Sequence, residues 1–236
     1  MEQRTILSSR ADIRASLSRP RAPSRRGDVT TAMALLAAGD LQPYDTDEFG
    51  TLPSTGIPYS QGAGAPGATL KHKPAAVLVP LIERADGFFI LLTTRTSELK
   101  QHAGQVAFPG GRREPGDADM IACALRETEE EIGVPRHAVE VLGQLDPYLT
   151  ITGYEVTPIV GAITAPVALR PDPAEVADIF EVPLAFLMDP ANHRREERMF
   201  KGQKRAYYAM PYGKHYIWGA TAGMILNLFE IISAQR

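Results

Sequence analysis

The sequence predicts an α+β fold, a mixed β-sheet flanked by helices in the manner of an α/β/α sandwich. Three observations predict it. Two apolar runs of strand length lie either side of a short turn at residues 84–87. A helical period runs through residues 119–132. Strand-like and helix-like segments then follow one another in no regular βα alternation, which argues against a doubly wound sheet or a barrel.

Residues 75–82 (AAVLVPLI) and 88–94 (FFILLTT) read as a hairpin or two adjacent strands. Residues 106–108 lead into the breaker cluster Pro109-Gly110-Gly111. In the helix that follows, Ile121, Leu125, Thr128 and Ile132 are spaced four, three and four apart on one face. Asp117 or Asp119 is placed to cap its start, and Gly133 with Pro135 to end it. Residues 139–145 and 156–163 read as further strands. Residues 182–184 lead into a short apolar turn ending at Pro190, and residues 198–216 resemble a charged hairpin. The strongly apolar residues 218–234 predict a final helix, with Trp218 in the core or on a homodimer face.

Two regions differ in texture. Residues 1–72 form an N-terminal extension, with a helical candidate at 30–38 and a Gly/Pro-rich linker at 51–68. Residues 73–236 read as one packed domain, and a chain of 236 residues is long enough to bury a substantial core. The start of the extension, before Asp28, is basic: Arg4, Arg10, Arg14, Arg19, Arg21, Arg25 and Arg26 face only Glu2 and Asp12. Such a start suits a solvated or partner-binding arm better than a mitochondrial presequence.

Whole-chain charge excludes more than it assigns. A formal net charge of −3 makes no electrostatic case for nucleic-acid binding. No apolar run is long enough to span a bilayer, so no integral membrane protein is expected. One cysteine, Cys123, leaves neither an internal disulfide nor a cysteine-built zinc cluster, in keeping with a cytoplasmic location.

The chemistry concentrates in the helix. Glu127, Glu130 and Glu131 stand at i, i+3 and i+4, within an arc of about 100°. Glu129 points away and reads as a bystander. Like charges so placed destabilise a helix, by roughly 0.2–0.5 kcal/mol per pair, unless something positive sits among them. A solvated acidic face is one account of this cluster. A hard divalent cation is the other, because magnesium takes oxygen ligands and keeps waters that a phosphate can replace.

The stretch from Gly111 to Val134 resembles the Nudix box, G-x5-E-x7-R-E-U-x-E-E-x-G-U with U apolar. Its second half, Arg126-Glu127-Thr128-Glu129-Glu130-Glu131-Ile132-Gly133-Val134, matches except that Thr128 stands at U. The first half departs: Asp117 replaces the glutamate, and eight residues rather than seven precede Arg126. Upstream, residues 91–111 (LLTTRTSELKQHAGQVAFPGG) are similar to the signature of the coenzyme A pyrophosphatases within that superfamily. Similarity continues at residues 152–158, 175–184 and 217–222.

The resemblance implies a Nudix-like fold and hydrolysis of coenzyme A to 3′,5′-ADP and 4′-phosphopantetheine. It implies Mg2+ or Mn2+ held by Glu127, Glu130 and Glu131, with Arg126 orienting Glu127 and Glu175 as a further acid. Arg95, Lys100, His102, Gly110 and Gly111 are the expected substrate contacts. NADH or ADP-ribose is the alternative substrate class, since fold and box do not choose among nucleoside diphosphate derivatives. A non-catalytic nucleotide-binding regulator is the rival from another class, and it would be expected to lack box glutamates.

Overall fold

The computed structural model describes residues 9–21, 26–27, 72–99, 102–150, 152–164, 166–200 and 203–234. The helical candidate at 30–38 and the linker at 51–68 lie outside them. The large sheet is mixed and nine-stranded. Its centre is β2 (Lys73–Arg84), paired antiparallel to β3 (Gly87–Arg95) and parallel to β8 (Tyr154–Ile163). The flanking strands are β1 (Arg26–Gly27), β4 (Val106–Ala107), β5 (Gly110–Arg112), β6 (Val139–Gln144), β7 (Tyr148–Leu149) and β9 (Val176–Pro183).

Both faces of β2 are covered, which explains why its sequence is apolar nearly throughout. Alternation sends Ala75, Val79 and Leu81 into the larger core, and Ala76, Leu78 and Ile82 into two smaller clusters on the opposite face. Those smaller clusters receive α2 (Met120–Ile132), through Cys123, Ala124 and Ile132. The larger core receives α1 (Arg10–Leu17), α3 (Leu184–Leu187) and α4 (Gly219–Ser233). A second, three-stranded sheet, β10 (Arg194–Phe200), β11 (Gln203–Tyr212) and β12 (His215–Trp218), adds Met210 and Ile217 to that core. The architecture is therefore a mixed α+β sandwich with helices on both faces of one large sheet. Among the described residues, no helix is long and apolar enough to cross a membrane.

Of the two candidate caps of α2, Asp119 serves, its side chain accepting from the Ala122 N–H. Three expectations need correction. The buried face of α2 runs through Cys123, Ala124, Thr128, Glu131 and Ile132, whereas Ile121 is exposed. Residues 176–183 form a full strand, β9, paired along β3, where no strand was expected. Asp178 and Glu181 interrupt the apolar alternation that would have announced it.

The third correction concerns the basic arm, which is not solvated over residues 9–21. Ser9 caps α1, and Ile13 and Leu17 sit in the main core, Ile13 with no exposed surface. Its arginines find acids on the domain: Arg10 meets Glu83 and Glu140, Arg14 meets Glu140, and Arg21 meets Asp146. Arg26 pairs with Asp146 and Glu230, and β1 lies parallel to β7. Buried apolar contact, rather than these part-exposed ion pairs, supplies most of the docking energy. Ile13→Ala is expected to cost about 3 kcal/mol in urea unfolding; a change within experimental error would mean that α1 does not dock.

Candidate active site

β5 pairs antiparallel with β2, aligning Gly110 with Val77 and Gly111 with Ala76, and so lays the glycine turn across the C-terminal half of α2. The approach is too close for a side chain. A Cβ at Gly110 (φ 153°) would lie 2.4 Å from the Ala76 carbonyl oxygen, and one at Gly111 would lie 2.5 Å from the Glu127 carboxyl. Glycine is required at position 110, where the obstacle is backbone, whereas at position 111 a Cβ would displace the end of the Glu127 side chain.

Beneath this turn the three glutamates part company. Glu131 is 4% exposed, and its Oε2 accepts from the Gly110 N–H at 3.2 Å. Burial pushes its carboxyl up to about 7, against the opposing influence of Arg95 and the Gly110 N–H. Glu127 is mostly buried, and burial raises it too, against the Arg126 charge. Glu130 turns outward, its side chain 58% exposed. Glu129 pairs with Arg136 on the surface, as a bystander should.

Arg126 organises the cluster. Its Nε and Nη2 grip Asp117 at 2.9 and 3.0 Å, Nη2 also meets Glu127 at 3.0 Å, and Nη1 meets Glu130 at 2.9 Å. Its Nη2 further donates to the Arg112 carbonyl. Asp117 is buried and also accepts from the Glu114 N–H. Those hydrogen bonds, the Arg126 pair foremost, hold its carboxyl well below the usual carboxylate range. Asp117 therefore fixes the arginine that sits beside Glu127, a part that sequence reading missed. The signal was present at position six after Gly111, but the extra residue in the spacing masked it. The turn at residues 113–119 absorbs that residue.

The remaining candidates divide. Arg95, at the end of β3, reaches Glu131 at 3.6 Å and Glu175 at 3.7 Å. The segment before β9 follows α2 closely: the Asp172 N–H donates to the Glu131 carbonyl and the Glu175 N–H to the Asp172 carbonyl. That path brings Glu175 near enough for its charge to raise Glu127 and Glu131. His102 is exposed, holds a left-handed backbone (φ 58°), and its ring is hydrogen-bonded to Gln105. Lys100 lies outside the described residues. Cys123 is buried, its Sγ facing the Gly111 carbonyl, and burial pushes the thiol up to about 11, which makes it a poor nucleophile.

Among the described residues, no three acidic, histidine or cysteine side chains converge as they stand into a cluster that could hold a metal ion. Glu127 and Glu131 nevertheless present carboxylate oxygens, the donors that hard divalent cations take, in a place where two guanidinium groups and the Gly110 N–H offset their charge.

The model of the NUDIX domain matches residues 72–202, and the chain belongs to the Nudix family. It is a Nudix hydrolase, acting on the acid-anhydride bond of nucleoside diphosphate derivatives, and such enzymes generally use divalent ions such as Mg2+ or Mn2+. Its relatives include NudL, named an uncharacterized Nudix hydrolase, from Escherichia coli O1:K1 / APEC. The two are 43% identical over 160 residues, covering 68% of this chain and 83% of the relative, and NudL of Shigella boydii serotype 18 gives the same figures. Among solved structures, the NUDIX domain of Shewanella oneidensis NrtR complexed with ADP ribose is 18% identical at a TM-score of 0.45, covering 73% of this chain and 93% of that one. The C. elegans Ap4A hydrolase binary complex is 21% identical at a TM-score of 0.41, covering 47% and 80%.

Opposite pH signatures are expected of the two buried acids. A depressed folded-state pKa lends stability above the unfolded value and loses it in acid, so Asp117→Asn should cost about 3 kcal/mol near neutrality, with the gap closing below pH ~4. A raised one costs the folded state progressively from pH ~4 upward through the shifted value. In EDTA, Glu131→Gln should therefore melt above the parent at pH ~8 and level with it at pH ~4. Melting curves across pH check both, and a difference that does not vary with pH contradicts the burial argument.

Proposed function

We propose that this chain hydrolyses the diphosphate bond of coenzyme A, or of a CoA derivative, to 3′,5′-ADP and 4′-phosphopantetheine. The supporting observation is the string 91–111, which resembles the coenzyme A pyrophosphatase signature and supplies both Arg95 and the Gly110-Gly111 turn beside the buried glutamates. Glu127, Glu130 and Glu131 hold Mg2+ or Mn2+ in this reading, and Glu130 must turn inward to take part.

The bound ion would neutralise the diphosphate and lower the pKa of a water. The chain's own groups do the rest. Glu127, oriented by Arg126 and thereby by Asp117, takes the proton of the attacking water. The water oxygen bonds to one phosphorus, the bond from that phosphorus to the bridging oxygen breaks, and the bridging oxygen leaves on the other phosphate. Glu175 adds a carboxylate at the mouth of the site. Arg95 and His102 are the proposed partners of the substrate's phosphates, guanidinium forks being suited to paired phosphate oxygens.

With Mg2+ or Mn2+, chromatography of the products should show 3′,5′-ADP released from CoA, and Glu131→Gln should lower kcat about 100-fold or more while remaining folded. Faster cleavage of ADP-ribose or NADH than of CoA would overturn the substrate assignment. Parental turnover by Glu131→Gln would overturn the assignment of the site.

A further inference from the structure

Two arginines border the buried acids, and they are held very differently. Arg126 is locked by the paired bonds to Asp117 and by the Arg112 carbonyl. Arg95 has a fixed backbone and a loosely held side chain. Its N–H donates to the Gln105 carbonyl at 2.9 Å, and its own carbonyl accepts from the Gly104 N–H at 3.1 Å. Strand alternation puts it on the same face of β3 as Leu91, which packs with Ile132 and Val134 at the end of α2. Its guanidinium stands 3.6 Å from Glu131 and 3.7 Å from Glu175, beyond the distances of tight charge-assisted hydrogen bonds.

The two oxygens of Glu131 also differ. Oε2 is taken by the Gly110 N–H, whereas Oε1 is the one that faces Arg95. A divalent cation reaching Glu131 would take Oε1, and a guanidinium and a dication cannot share one oxygen at such range without strong repulsion.

We propose that Arg95 serves as the internal counter-cation of the empty acidic site and yields its place beside Glu131 to the metal. The inference rests on the reading of the site as metal-binding. Before loading, Arg95 keeps Glu131 and Glu175 together across the gap between α2 and β9. On loading, the guanidinium is released at the mouth of the site, still beside Glu175, with its fork free for a phosphate. Metal entry thereby prepares the phosphate contact, so that substrate is gripped after the ion is in place.

The test needs no substrate. Free Mn2+ is followed by electron paramagnetic resonance while the full-length parent, Arg95→Gln and Arg95→Lys are titrated. Removing a competing positive charge is expected to make Arg95→Gln bind Mn2+ about tenfold more tightly, whereas Arg95→Lys keeps the charge and stays near the parent. Equal or weaker binding by Arg95→Gln would overturn the proposal. A second measurement uses only the parent: Mg2+ should shift the Arg95 side-chain Nε–H resonance, and an unmoved resonance in an ion-bound sample would equally overturn it. A parent that binds no Mn2+ removes the metal reading of the site and this proposal together. Tighter binding by Arg95→Gln without any cleavage of CoA removes only the substrate assignment.

Discussion

The arrangement depends on placing the Glu131 carboxylate out of water directly under a glycine turn. Burying a carboxylate is costly unless donors or cations offset it. Here one backbone N–H and one part-exposed guanidinium do so, and burial still outweighs them. The rest of the fold serves that placement. β2 is covered on both faces, so it can support β5 on its edge and α2 on its surface. The two glycines let β5 come within contact of the helix, and Asp117 fixes the arginine that separates Glu127 from Glu130.

Much of this was legible in the sequence because it depends on local pattern. The β2–β3 pair shows as two apolar runs about a turn, and α2 shows through its period, its aspartate cap and Gly133. The acidic triplet was visible too, but not how its members divide. Helical geometry places Glu127, Glu130 and Glu131 on one arc, whereas the position of β5 decides which of them lose water. That position is a tertiary fact. The same holds for Ile121: it follows the helical period, yet the sheet meets the helix one position round, on Cys123 and Ala124.

What stayed illegible was long-range charge. Counting residues locally made the N-terminal segment an unbalanced basic arm, although Glu83, Glu140, Asp146 and Glu230 balance it from more than 50 positions away. Asp146 shows the density of this junction, since it meets Arg21, Arg26 and Asn227 together. Strand β9 was hidden for a related reason: its polar residues are paired across the sheet, as Glu181 is with Arg84. Asp117 reads as a cap until Arg126 is seen to fold back over it.

The most direct test of the account is a crystal structure of the protein loaded with Mn2+. The ion should lie under the Gly110-Gly111 turn, liganded by Glu127 and Glu131, with Arg126 still held by Asp117. An ion bound elsewhere, with Glu131 still facing Arg95, would contradict it.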